Sequence, residues 1–233
     1  MGNSTLPQRR TIPVLYRFCK RIFDVCVASA VLFVLSPLLL LVALAIYIDD
    51  PGTVFYVHER IGENGKPFPF YKFRTMVVGA DAIGRGFEVD KNDRRITRTG
   101  NFLRRWHIDE LPQLLNVLKG EMSIVGPRPT LAYQVAQYTP HQRRRLEVPP
   151  GLTGLAQIKG LNALTWQERI EWDVYYVDHA SMWLDLKIVL RTFGAIAGED
   201  NTYGHGWESS HQVTAGAAQS SRPDGPETET HNA

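Results

Sequence analysis

Residues 25–48 form a run of 24 residues without a charge, and Ser36-Pro37 stands at its centre. A helix needs roughly 20 apolar residues to span a bilayer core, so this run constrains the fold more than any other part of the chain. A cleaved signal peptide has a shorter apolar core, roughly 7–15 residues; the run here continues through Leu38, Leu39, Leu40 and Leu41, which disfavours that arrangement. A straight transmembrane helix would hold Arg9, Arg10, Arg17, Lys20 and Arg21 in the cytoplasm and put the rest of the chain across the membrane. A re-entrant hairpin would instead bend at Ser36-Pro37. Pro37 cannot donate to the Phe33 carbonyl and its ring crowds that turn, while Ser36 can satisfy the freed oxygen. Each limb of about a dozen residues is roughly 18 Å long, short of the hydrocarbon thickness. Proline is also common in ordinary transmembrane helices, so the residues alone leave both the straight helix and the hairpin open.

The rest of the chain is large enough for one ordinary domain. Its net charge of +2 is unevenly spread: from Glu199 onward six acids face Arg222 alone, so the remainder holds 25 Lys/Arg and 18 Asp/Glu. Residues 58–105 alone carry 11 basic and 6 acidic side chains. A basic body suits anionic partners such as lipid headgroups, nucleotides or nucleic acid. Cys19 and Cys26 both precede the body, so it has no disulfide framework, which fits a reducing compartment. There is no Cys/His spacing of a structural zinc site.

Along the body, residues 54–57 and 68–73 read as short strands around a Gly62–Pro67 turn, and residues 79–99 as loop. Residues 101–107 show a helical pattern with Phe102, Leu103 and Trp106 on one face. Pro112 fits the first turn of a helix that Gly120 ends. Residues 131–138 read as helix and 155–158 as extended. Thr165-Trp166-Gln167-Glu168 is a capping box that should open a helix to about Tyr176, and Ser181 should cap a last one that stops near Gly198. Beyond Ser209 the composition is that of a disordered tail.

Three motifs could carry chemistry. Asp109-Glu110 ahead of the Pro112 helix could merely cap its N–H groups and complement its dipole; alternatively, one carboxylate attacks phosphorus while the other holds Mg²⁺ beside substrate phosphates. In Gly126-Pro127-Arg128-Pro129 two fixed φ angles present Arg128 with little freedom, as suits a bidentate phosphate contact; an ordinary turn with a solvated arginine is the plainer reading. In Tyr71-Lys72-Phe73-Arg74 a strand would put Lys72 and Arg74 on one face, either toward phosphate or toward solvent. Trp166, Trp172, Tyr175, Tyr176 and Trp183 read as core residues, with interfacial anchoring as the alternative. No Walker A loop or G-x-G-x-x-G fingerprint is present.

Between Phe18 and Gly198 the chain resembles the bacterial sugar transferases, in particular the small monotopic polyprenyl-phosphate phosphoglycosyl transferases. The resemblance rests on Ser36-Pro37, on the motif from Tyr71 to Met76, and on residues 109–120, 123–129, 150–160 and 183–187. It implies an α+β, mainly helical fold: a polar lead-in (residues 1–24), a re-entrant membrane hairpin broken at Ser36 and Pro37 (25–48), a catalytic domain with amphipathic interfacial helices (49–198) and an acidic tail (199–233). With no span ahead of Phe18, the N-terminal membrane domain of larger members is expected to be absent.

The resemblance further implies transfer of a sugar phosphate from a UDP-sugar to a polyprenyl phosphate in the bilayer, with release of UMP, as the initiating step of glycan assembly. Asp109 would be the nucleophile, Glu110 the Mg²⁺ ligand, and Lys72, Arg74, Arg104 and Arg128 the phosphate-binding cations. Asp185, in Leu184-Asp185-Leu186-Lys187, matches the family without a role that the resemblance assigns. A cytoplasmic body at the bacterial inner membrane then favours the hairpin over the straight helix. A homodimer is compatible with exposed amphipathic helices, and nucleic acid is not an expected partner. A phosphohydrolase using the same dyad, and a non-enzymatic basic module on a membrane anchor, are the competing functions.

Overall fold

The computed structural model describes residues 12–82, 93–160 and 164–197. The expected tail, the first residues and much of the 79–99 loop lie outside the described residues. The described chain is mainly helical. A 36-residue helix α1 (Val14–Asp49) leads into the antiparallel hairpin of β1 (Phe55–Ile61) and β2 (Pro67–Phe73). Then come α2 (Arg98–Arg105), a 3₁₀ segment (Ile108–Gln113), α3 (Leu114–Lys119), β3 (Ser123–Val125) and α4 (Ala132–Ala136). A 3₁₀ segment (Gln142–Leu146), β4 (Gly151–Thr153), α5 (Leu155–Ile158), α6 (Trp166–His179) and α7 (Met182–Ala197) complete the fold. β3 and β4 pair in parallel.

Helix α1 continues through Pro37, so the structure does not interrupt it at Ser36-Pro37. The carbonyl that Pro37 leaves without a donor is satisfied as its neighbour permits, because Ser36 Oγ donates to Phe33 O at 2.8 Å. One stripe of α1 faces the body: Tyr16, Phe23, Val27, Ala28, Val31 and Leu32 join the main core around Leu114, Val117, Tyr176 and Ile188. Beyond the proline, Leu39, Val42, Ala43 and Ile46 pack with Phe73, Leu103 and Ile108 in a second, smaller core. The other stripe, including Leu15, Phe18, Phe33, Val34, Leu40, Leu41 and Ile48, is exposed. By length and composition α1 can cross a membrane, and almost none of its most apolar stretch is buried against protein.

Polar side chains fasten both ends of this helix. At its start Lys20 reaches Asp185 of α7 (2.8 Å), and Asp24 Oδ1 accepts from Ile124 N–H (3.0 Å). Arg21 donates to the Val117 and Leu118 carbonyls at the end of α3, where cations complement exposed carbonyl groups. At the far end Thr99 N–H donates to Asp49 Oδ2 (2.8 Å), and Arg74 binds Asp50.

Three readings need correction. Residues 155–158 form a helical turn; the extended piece is residues 151–153, just ahead of them. In α2 only Leu103 turns inward, while Phe102 and Trp106 are exposed. The helix opened by the capping box continues past Tyr176 to His179.

Candidate active site

β2 runs beside the 3₁₀ segment that carries the acidic pair, and Asn116 of α3 fixes their spacing. Its fully buried amide donates to Pro69 O (2.6 Å), and its carbonyl oxygen accepts from Tyr71 N–H (3.3 Å). An asparagine inside the apolar run from Leu114 to Leu118 was the available signal for this clamp. Ahead of the pair the chain turns sharply at His107, whose φ of 54° lies in the left-handed region that costs a side chain steric strain. Asp109 and Glu110 therefore sit inside a 3₁₀ turn, with Pro112 as its fifth residue, rather than ahead of an α-helix.

Lys72 Nζ from β2 lies 2.7 Å from Glu110 Oε1 and 3.6 Å from Asp109 Oδ2. Arg128 grips the same Glu110 with both terminal nitrogens, at 2.7 and 3.3 Å. Burial alone would push Glu110 up, but Arg128 and then Lys72 outweigh it and hold its carboxyl well below the usual range. Glu110 is thus a fixed anion. Asp109 goes the other way: burial raises it, Lys72 opposes that, and the Glu110 charge adds to the rise. Asp109 is thus a poorly solvated carboxyl group beside a lysine. The ion pair raises Arg128 further above its ordinary value, yet 45% of its side chain remains exposed to meet a ligand.

The loop bearing Arg128 is held by contacts that sequence reasoning missed. Arg145 donates through Nη2 to Arg128 O (3.0 Å) and to Asp173 Oδ2 (2.5 Å), and through Nη1 to Tyr138 OH (2.7 Å). Three glycines allow the strand ends to close on the loop: a Cβ on Gly151 would fall 2.0 Å from Gly126 N, and one on Gly154 2.2 Å from Gly126 O. Gly151 N–H also donates to Pro127 O (2.8 Å).

The structure brings Lys72, Asp109, Glu110 and Arg128 together. Arg104 stands close enough for its charge to act on Asp109, and its Nε donates to Thr75 Oγ1 (2.8 Å). Arg74 is not brought to the dyad: it is buried on Asp50, with the Asp50 carboxylate 2.7 Å away. Among the described residues no cluster of three His, Cys, Asp or Glu side chains could cage a metal. A Mg²⁺ ion that keeps waters and completes its shell with substrate phosphates needs only one or two carboxylates, and Glu110 beside Asp109 fits that demand.

A family model described as "Bacterial sugar transferase" matches residues 15–199. The chain is 46% identical to the "Uncharacterized sugar transferase EpsL" of Bacillus subtilis, over 74% of this chain and 84% of that protein. It is 43% identical to a "UDP-glucose:undecaprenyl-phosphate glucose-1-phosphate transferase" of Caulobacter vibrioides, over 79% and 72%. It is 39% identical to the "Undecaprenyl-phosphate galactose phosphotransferase" of Salmonella typhimurium, over 80% of this chain but 42% of that longer protein.

Proposed function

Because the chain belongs to the bacterial sugar transferase family, we propose that it moves a sugar phosphate from a UDP-sugar to a polyprenyl phosphate at the membrane. The relatives named for sugar-phosphate transfer to undecaprenyl phosphate support that substrate pair. The observation that carries the mechanism is the unequal acidic pair: Glu110 locked as an anion by two cations, and Asp109 buried beside Lys72.

In the first step an Asp109 oxygen attacks the phosphorus that bears the sugar. The bond from that phosphorus to the bridging oxygen breaks, and UMP leaves with the electron pair. In the second step a phosphate oxygen of the polyprenyl phosphate attacks the same phosphorus. The Asp109–phosphorus bond breaks, restoring the carboxylate and giving polyprenyl-diphosphate-sugar. Two steps keep the anionic substrates apart. Lys72 and Arg128 shift from Glu110 toward the incoming phosphate oxygens, where fixed positive charge stabilises the transition state. Mg²⁺, held by Glu110 and the donor phosphates, would neutralise charge on the diphosphate.

On this reading helix α1 holds the chemistry at the lipid surface, as its length and apolar composition support. A 36-residue helix is roughly 54 Å long if straight, yet polar groups tie both of its ends to one charged body. A straight crossing would drag that body through the hydrocarbon. A helix that bends at Ser36-Pro37 and dips into a single leaflet keeps the body in water, on the cytoplasmic face where nucleotide sugars are found.

The test is intact-protein mass after incubation of the detergent-solubilised full chain with Mg²⁺ and a panel of UDP-sugars, without lipid acceptor. A gain of one sugar phosphate, absent in Asp109→Asn, is expected. Absence of both the adduct and UMP with every sugar, even after polyprenyl phosphate is added, would refute the reading. UMP or sugar phosphate released equally without the lipid would identify a phosphohydrolase instead.

A further inference from the structure

We propose that Arg60, on β1, is a further phosphate-binding residue of this site and holds the phosphate that departs with the nucleoside. The inference rests on the donor reading above, which requires a diphosphate with one phosphate transferred and one leaving. Residues two apart on a strand share a face, as do directly opposed cross-strand partners. The register pairs Tyr56 with Lys72, His58 with Phe70, and Arg60 with Phe68. Arg60 therefore projects from the same face as Lys72, the residue that touches both Asp109 and Glu110.

Both cations lie near the Phe70 ring. The Arg60 guanidinium carbon and Lys72 Nζ are each 5.7 Å from its centroid, so neither can lie much beyond twice that distance from the other. The end of β1 is also tied to the Arg128 loop, since Ile61 N–H donates to Thr130 O at 2.8 Å. Arg60 is thus adjacent to the cations of the dyad but displaced from Asp109, the attacking group. The phosphate next to the one attacked is the one that leaves.

The arginine's own contacts make it a binding group rather than a structural one. Four other buried or part-buried arginines end on carboxylates, Arg74 on Asp50, Arg95 on Asp93, Arg144 on Asp178 and Arg145 on Asp173, while Arg21 and Arg169 donate to backbone carbonyls. Among the described residues no carboxylate lies within ion-pair distance of Arg60. Its one hydrogen bond runs from Nε to His58 Nε2 at 2.6 Å. Among the described residues, both terminal nitrogens, a fork suited to two phosphate oxygens, are therefore without a protein acceptor. Burial and the nearby Arg128 lower Arg60 to about 10, and the Glu110 charge, beyond ion-pair distance, opposes them only in part. His58 must offer a lone pair to Arg60, and its Nδ1 is buried without a partner. It therefore orients the guanidinium without adding charge.

The experiment compares the full chain with Arg60→Met, which keeps a stem against Phe70, and Arg60→Lys, which restores a point charge. The readouts are KM for the UDP-sugar, Ki for UMP as product inhibitor, and KM for polyprenyl phosphate. Loss of one charge-assisted contact raises the donor KM and the UMP Ki together, by about 10- to 100-fold. Arg60→Lys is expected to fall between, and the lipid KM to stay fixed. Unchanged donor KM and UMP Ki would overturn the assignment. A rise in the lipid KM alone would overturn it too, giving Arg60 to the acceptor phosphate. If the unsubstituted protein releases no UMP with any donor, the transfer reading fails by itself. Arg60 is then judged by thermal stabilisation with UMP: a shift lost in Arg60→Met supports the site, and an equal shift in both proteins overturns it.

Discussion

Asp185 offers the sharpest test of how the membrane helix is joined to the body. Its carboxylate is 1% exposed and accepts three bonds, from Lys20 Nζ (2.8 Å), Tyr16 OH (2.9 Å) and Tyr176 OH (2.7 Å). Lys20 is itself buried. Asp185→Asn keeps the shape and removes the charge, which strands the ammonium of Lys20 in the interior. Breaking a buried pair from one side costs about 3–5 kcal/mol. For a protein of this size each kcal/mol lowers the melting midpoint by roughly 2–4 °C, so the expected fall is about 6–20 °C in detergent micelles.

Lys20→Met should also destabilise, by somewhat less, because two tyrosine hydroxyls still solvate the carboxylate. The double substitution Lys20→Met/Asp185→Asn removes both charges and should cost less than the two single changes added together, by about 2 kcal/mol or more. Thermal melts of all four proteins close the cycle. If each single change moves the midpoint by less than about 2 °C, or the double equals the sum, the pair does not anchor α1 and the reasoning fails.

Two further outcomes follow from other contacts. Burial, then Arg60 and Lys72, push His58 down to about 3, whereas the unfolded chain protonates it near 6.5. Between those values the unfolded state binds more protons, so stability is lost as pH falls below about 6.5. The loss by pH 5 is up to about 2 kcal/mol, nearer 1 after screening at this half-buried site. His58→Gln should flatten that part of the pH–stability curve, and an unchanged slope would refute the assignment. Gly151→Ala would force a methyl into the Gly126 backbone. It should cost about 1–3 kcal/mol and, by moving the Arg128 loop, raise the donor KM; a variant with unaltered melting and kinetics would show that the loop adjusts freely.

What the sequence made legible was local. An uncharged run delimited most of α1, a capping box set the start of α6, and Gly120 ended α3 with a φ of 86°. The antiparallel hairpin followed from extended segments flanking a turn. Harder to see were elements whose reason lies across the chain. β3 and β4 are three residues each, too short to show a period, and they exist because Gly126, Gly151 and Gly154 let two backbones touch. The four residues 155–158, three of them apolar, fit a strand or a helical turn equally well; tertiary packing chose the turn. Lys20 and Asp24 belong to a polar lead-in by sequence, whereas Asp185 and the Ile124 N–H draw both inward.

The motif from Tyr71 to Arg74 shows the same boundary within four residues. Alternation put its two cations on a shared face, and one phosphate-binding task for both followed naturally from that. The strand ends at Phe73, and beyond it the chain turns Arg74 toward Asp50, at the end of α1. Lys72 serves the acidic pair, while Arg74 fastens the helix whose other stripe is apolar and exposed. The sequence announces both charges equally, because a cation's neighbours along the chain do not name its anion. That separation gives the motif two attachments: Lys72 on the strand beside the dyad and, two residues on, Arg74 at the end of α1.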